Sequence, residues 1–554
     1  MNVEERVILK QILPKKKALQ KTALLLISMI MLFTLVIGCS NNNTANTANT
    51  PAPSETTKDS DKKTEAPKER VTLKVEVFDR GNSPDGMTVT DNLMTKYIQE
   101  NFGDPNNIDV EFVAVPRSEE INQLNVLMAA GTAPDVIFSY NAGAIYNFAT
   151  QGGLTDLTDI IKEHGPNLQS YLADSLQYGV FDGVQYSMVA RRVHLQKYIS
   201  LIRQDWLDKL KLPVPTTTQE TYDTLVAFKD NKLGGDQTIP LGFALAPDSY
   251  EPIIWSFIKE QSDEARYLRS VTIGSREYPI LMDGHKEGIQ FLNKLYNEGL
   301  MDPDFALDVD RKRKQEQIVN GHVGMYSEDA VSSYWNDTSI AMTLEKNVPG
   351  ANLTPFLPWT DFEGKNRQPS YTPSGMHIAV PVFSERAVEA VKYVDWMAQD
   401  EVIQYMAFGD EGVHHTIVDG FPVNNASDEA KKLLYNSGDM LIVTNGIDFG
   451  SMEKNIESTV LPVIEKHREL AKQARINSMK DSVQQPIQFD KPLESEAKHS
   501  VIMLDKYHEL LVKSTMAKPA DFDKTYEAAL KDFMDTAGTE VINERTALYN
   551  AMKK

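Results

Sequence analysis

Seventeen mostly apolar residues, 22–38, run straight into Cys39, the only cysteine in a chain of 554 residues. Lys15, Lys16, Lys17 and Lys21 precede them. The run is short for a helix left spanning a bilayer, which needs about 20 apolar residues, and it suits the core of a secretory signal peptide. This constrains everything downstream. With no second cysteine, the exported body cannot close a disulfide, so burial and hydrogen bonding alone must hold it, and thiol catalysis beyond Cys39 is excluded.

The Val-Ile-Gly-Cys ending resembles a bacterial lipobox. The resemblance implies removal of residues 1–38 and lipidation of Cys39, with palmitate among the acyl groups. Two acyl chains anchor a protein stably where one binds only marginally. Residues 40–70 follow, with four alanines, three prolines and no larger apolar side chain, so the tract cannot bury a core and reads as a disordered tether. As a coil it averages about 30 Å end to end, and stretched it reaches about 100 Å. The expected location is the outer face of the cytoplasmic membrane.

Beyond the tether lie about 480 residues, enough for two or three domains. The chain carries −21, and losing residues 1–38, with six basic and two acidic residues, leaves about −25. A body so acidic repels nucleic acid and anionic lipid, so no nucleic-acid partner is expected. No other apolar run approaches eighteen residues.

The body begins with Val71, Leu73, Val75 and Val77 alternating with polar residues, the pattern of a half-buried strand. Residues 107–115 read as a second strand. Ile121, Leu124 and Met128 then fall on one helical face that stops at Gly131, and PDVIFSY forms a third strand. Such alternation predicts an α/β fold with parallel strands. KYISLIR, 197–203, reads as another strand. Thr217 and Glu220 have capping-box spacing before the helix carrying Tyr222, Leu225, Val226 and Phe228. Ala387, Ala390, Val391, Val394 and Ala398 share a helical face, with Ser384 as the expected N-cap. The last hundred residues are helical in pattern.

Several motifs occur in a set order: MAAGTAPDV at 128–136, GLTDL at 153–157, DGVQY at 182–186 and RQDWLDKL at 203–210. NGHVGM at 320–325, VDW at 394–396, FGDEG at 408–412 and PADFDKTYEAAL at 519–530 follow. The series resembles the extracellular solute-binding proteins of bacterial ABC importers, in the large sugar-binding group of family 1, over residues 71–550. The resemblance implies a two-lobe, periplasmic-binding-protein-like (type II) fold with discontinuous lobes. Residues 71–197 and 356–405 would form the first lobe. Residues 198–355 and 406–554, with the C-terminal helices, would form the second. Hinge crossings are expected near 195–200, 355 and 405. The implied function is capture of an oligosaccharide between the lobes by a monomer that hands it to ABC permease subunits. A secreted carbohydrate-active enzyme, or a surface sensor or adhesin, is the alternative.

A sugar presents an apolar ring face and a belt of hydroxyls, so its site needs aromatic surface and polar groups that donate and accept. Trp206 and Trp396 lie in amphipathic helices and read as core. Trp255, Trp335 and Trp359 follow loop-like stretches and are candidates for the cleft. The resemblance makes the stretch after Met325 a cleft wall, adding Tyr326, Ser327 and Glu328. Tyr140 and Asn141 follow a strand, where α/β folds place ligand groups. Arg191 and Arg192 are adjacent cations in an acidic chain. Either both pair with surface carboxylates, or one forks onto a uronic-acid carboxylate, which guanidinium geometry suits. Strand alternation sends them to opposite faces, and for the uronate role Arg191 is favoured.

No nucleophile elbow, zincin helix or phosphate loop appears, and neither a catalytic residue nor a cofactor is expected. Alginate-binding relatives carry a calcium loop where this chain reads Asp230-Asn-Lys-Leu-Gly-Gly-Asp236. That spacing is too short and includes Lys232, so no metal is expected. The RKRK run at 311–314 reads as a solvated helix face.

Overall fold

The computed structural model describes residues 70–259, 279–330, 339–482 and 493–552. The signal segment, Cys39, the tether to residue 69 and Trp335 lie outside the described residues.

The chain first lays down β1 (Val71–Asp79), β2 (Ile108–Pro116), β3 (Ile137–Ser139) and β4 (Ser187–Arg192). It crosses into β5 (Tyr198–Arg203), β6 (Ile239–Gly242), β7 (Val323–Asp329) and β8 (Leu353–Phe356), then returns through β9 (Ser374–Ala379) and β10 (Thr444–Asn445). Two sheets result. In the first, β1 and β2 pair in parallel, and the bridge Val75 to Val136 ties them to a sheet ordered β10-β4-β9-β3. In the second the order is β8-β5-β7-β6, with only β6 and β7 parallel.

Direction decides where a ligand can sit. In the first sheet only β9 opposes the other strands, so the C-terminal ends of β2, β3, β4 and β10 share one edge. In the second, β6 and β7 end beside the start of β5, which follows directly on the crossing at 193–197. The two C-terminal edges therefore meet at the crossing, and in open α/β sheets such edges bind ligands.

Burial follows the sequence pattern closely in the helix Ala387–Met397. Its Ala390, Val391 and Val394 are buried in the first core together with Ala398, and Ala387 packs on its rim. Ser384 does not cap it. Its hydroxyl accepts from Arg386 N at 3.1 Å and donates to Asp135 at 2.6 Å. Thr217 does cap the helix Thr218–Asp230, accepting from Glu220 N, whereas Glu220 reaches past it to Thr216. Trp206 is buried edge-on to Phe228, and Trp396 packs half-buried on the first core.

The last expected crossing, near 405, falls inside the first lobe's packing. Met406, Leu433, Tyr435 and residues 440–443 are buried in its core, and β10 pairs with β4. The buried run 440–443 feeds an edge strand of two residues, too brief to show a period. Past it, the chain joins the second body. There the helices Glu494–Met516 and Phe522–Phe533 clamp His285, whose two ring nitrogens meet the Tyr526 hydroxyl at 2.8 Å and the Tyr507 hydroxyl at 3.1 Å. Burial pushes that imidazole down to about 3, so it is neutral at physiological pH.

Candidate ligand cleft

Three strand ends of the first lobe deliver Arg117, Tyr140 and Arg192 to the shared edge. The Arg117 guanidinium lies 4.6 Å from the Phe78 ring centre and 5.6 Å from that of Tyr140, and pairs with Glu120. Arg192 lies 5.7 Å from the Tyr140 ring and 4.4 Å from the Tyr371 ring, close enough for cation–π attraction. The Tyr140 hydroxyl accepts from Asn445 Nδ2 at 3.0 Å, so β10 also contributes. Tyr371 is held against the crossing by its own amide, which donates to Leu195 O at 2.9 Å.

The wall continues into the second lobe. Lys197 lies 5.8 Å from the Tyr371 ring and donates to Glu251 Oε2 at 2.7 Å, and the Tyr198 hydroxyl donates to the same oxygen at 2.9 Å. Burial and the Glu251 carboxylate raise the Tyr198 phenol well above its ordinary value, so it remains a donor. Glu251 and Asp248 stand in the helix Pro247–Phe257, which starts where β6 ends. Asp248 is buried between Arg311, whose Nε donates at 2.8 Å, and Lys314.

Arg192 differs from every other cation here. Its Nε donates to Ser374 O at 3.2 Å, and among the described residues it has no carboxylate within ion-pair distance. Arg191, on the opposite face of β4, is paired with Asp448. With Val193, Leu195, Ser451 and Asn455 it lines a pocket of about 290 Å³ at the crossing.

The other expected residues divide sharply. Tyr140 is exposed at the edge. Asn141 uses its side-chain oxygen to cap the helix Ala142–Thr150, accepting from Ala144 N at 3.1 Å. Trp255 is 2% exposed and packs on Ile258 and Met282. Trp359 is 4% exposed and edge-on to Phe291. Both rings therefore belong to the core, not to the cleft. Tyr326 is buried in an apolar cluster, and Ser327 bonds the Ser200 hydroxyl at 2.8 Å. Glu328 is buried as well, on the β7 face opposite to Ser327. Trp335 lies outside the described residues.

Sequence reasoning missed Arg117, Lys197, Asp248, Glu251, Arg311 and Tyr371. A usable signal existed for Asp248 and Glu251, since DSYE follows a strand and opens a helix. Of the RKRK run, Arg311, Lys312 and Arg313 are exposed as expected of a solvated face, Arg313 pairing with Asp302 at 2.6 Å, whereas Lys314 is buried at 1% exposure. In the 230–236 loop, Lys232 rests on Asp236 at 3.0 Å.

Residues 88–404, more than half of the chain, match the family of bacterial extracellular solute-binding proteins, and the chain belongs to that family. It is 26% identical over 327 residues to the polygalacturonan/rhamnogalacturonan-binding protein YtcQ of Bacillus subtilis (strain 168), covering 56% of this chain and 61% of the relative. It is also 26% identical over 209 residues to the fructooligosaccharide ABC transporter substrate-binding protein FusA of Streptococcus pneumoniae serotype 4, covering 34% and 38%. The chain thus spans less than two thirds of either relative's length. Among solved structures, the alginate-binding protein AlgQ2 without calcium ion superposes with a TM-score of 0.65 at 19% identity, over 87% of this chain and 98% of that one. That likeness establishes the two-lobe fold.

Proposed function

We propose that the protein captures an acidic oligosaccharide between its lobes and delivers it, unaltered, to the permease subunits of an ABC importer. It works as a monomer held by lipid on Cys39 at the outer face of the cytoplasmic membrane. The first lobe runs to about residue 445, apart from the excursion 198–355. The observation that carries the reading is Arg192, a guanidinium set against two tyrosine rings at the lobe junction with no acid of its own. Tyr140 offers an exposed ring for a pyranose, and Arg192, held on the Tyr371 ring, offers a fork for its carboxylate. The names of YtcQ and FusA support the ligand class and the transport partner, and the first is named for polyuronates.

Calorimetry with an oligogalacturonide and its neutral galactose counterpart tests this. The wild type should prefer the acid, return it unhydrolysed, and melt higher with rising ligand concentration. Equal binding of the neutral sugar, or hydrolysis, overturns the reading. Separately, labelled palmitate should be incorporated by the wild type and not by Cys39→Ala; a wild type that takes up no label removes the lipid anchor from the proposal.

A further inference from the structure

Arg311 enters the helix Lys312–Val319 from the left-handed region, at φ 66° and at its N-cap. An L side chain rarely adopts that conformation without being held there. Here it is held from both sides. The buried Asp308 carboxylate accepts from Arg313 N at 3.2 Å and Lys314 N at 2.8 Å, and its carbonyl accepts from Leu245 N at 3.0 Å. Asp310 accepts from Lys312 N. The turn aims Arg311 Nε at Asp248, while the side chain stays 46% exposed and its two Nη groups bond none of the described residues.

Asp248 is shared. Lys314 is buried against it and also donates to Ser249 Oγ at 3.1 Å and Ser327 O at 3.0 Å. Two cations thus flank one carboxylate, and the excess positive charge lies on the exposed partner. One further acid bears on this balance. Glu328, 4% exposed, has no hydrogen-bond partner for either carboxyl oxygen among the described residues. The charged groups around it are Lys314 on its helix, Asp248 on the helix Pro247–Phe257 and Asp329 on its own strand; across β5 it meets Ile199.

We propose that Arg311 is a second reader of the ligand's carboxylates, positioned by the buried Asp248–Lys314 pair, and that Glu328 sets the charge of this cluster. The inference rests on the acidic-oligosaccharide reading above. Counting Arg311 and Lys314 against Asp248 and Asp329, the cluster is neutral while Glu328 is protonated and carries one net negative charge when it ionises. Burial raises Glu328 to about 8 against the pull of Lys314, so the change falls just above neutrality. Arginine and uronate keep their charges across that window.

The test is oligogalacturonide affinity at constant ionic strength between pH 6.5 and 9. Affinity of the wild type should fall about three- to tenfold as pH rises, as expected for one added charge a few ångströms away in a partly screened site. Glu328→Gln, which mimics the protonated acid, should bind equally at both pH values. Arg311→Gln should weaken binding about tenfold at pH 6.5. A ligand-free measurement stands beside these. Between about pH 4.5 and 8 the folded protein keeps a proton that the unfolded chain releases, so the stability tied to Glu328 is full below 4.5 and lost as pH rises through 8. Glu328→Gln should therefore melt progressively higher than the wild type over that range. The proposal is overturned if Glu328→Gln shares the wild-type pH profile in both assays, or if Arg311→Gln binds as the wild type does. If Arg192→Gln abolishes binding while Arg311 and Glu328 have no effect, this proposal alone fails. If the wild type does not bind the oligogalacturonide at all, it falls together with the acidic-oligosaccharide reading.

Discussion

Arg191 and Arg192 are neighbours on one strand, yet their surroundings are opposite. Arg192 N and Arg191 N both bond across the sheet, to Pro373 O and Val443 O, so the backbone treats the two residues alike. Their side chains leave on opposite faces. Arg191 enters a paired arrangement in which Asp448 neutralises it and Asn455 Nδ2 and Gly450 N steady the acid at 3.0 and 2.9 Å. Arg192 enters an open one of tyrosine rings and a single carbonyl. A paired arginine is a structural tie. One resting on aromatic faces keeps its outward donors and its charge for a ligand.

Exchanging the two roles would break that comparison. Arg192→Gln should cost about 2–5 kcal/mol of oligogalacturonide affinity, the loss typical of truncating one partner of a desolvated charge pair. Calorimetry should register this as at least about a thirtyfold rise in Kd, with the melting temperature of the free protein little changed. If Arg192→Gln binds normally and Arg191→Gln does not, the cleft lies on the other face of the crossing. Tyr371→Leu sharpens the same contrast at smaller scale. It keeps apolar bulk but removes the ring face under Arg192, and should weaken binding by about 1–2 kcal/mol, the worth of a partly desolvated cation–π contact. Equal losses for acidic and neutral sugars would show that the ring stacks on sugar rather than holding the arginine.

Elements whose burial repeats regularly were legible in the sequence. The face of Ala387–Met397 and the wholly buried β5 stood out because many residues report one period or one continuous run. The site was legible only in part. A tryptophan after a polar stretch reads the same whether its ring turns inward or outward, and Trp255 and Trp359 turned inward. Four consecutive cations read as solvated because the acid that buries Lys314 stands 66 residues away. Alternation correctly separated Arg191 from Arg192, but naming the face that meets ligand required Tyr371 and Asp448, which only folding brings near.

The smallest expected effect belongs to the tie itself. Arg191 and Asp448 have side chains 35% and 22% exposed, so solvent screens their attraction and the pair is worth about 0.5–1 kcal/mol at most. Burial pushes the Asp448 carboxyl upward, but the hydrogen bonds from Asn455 and Gly450 and the Arg191 charge outweigh it, leaving the acid below its ordinary value. The sign follows. A carboxylate depressed on folding stabilises the protein above the unfolded value near pH 4, and the contribution is lost as pH falls through the folded value. Arg191→Gln should therefore lower the urea midpoint slightly at pH 7, and the difference from wild type should shrink below about pH 4 as Asp448 is protonated in both proteins. Oligogalacturonide affinity should stay within about twofold, since a screened surface pair contributes little beyond its own contact. A large affinity loss with no change in the urea midpoint would make Arg191 the ligand-reading residue and Arg192 the bystander.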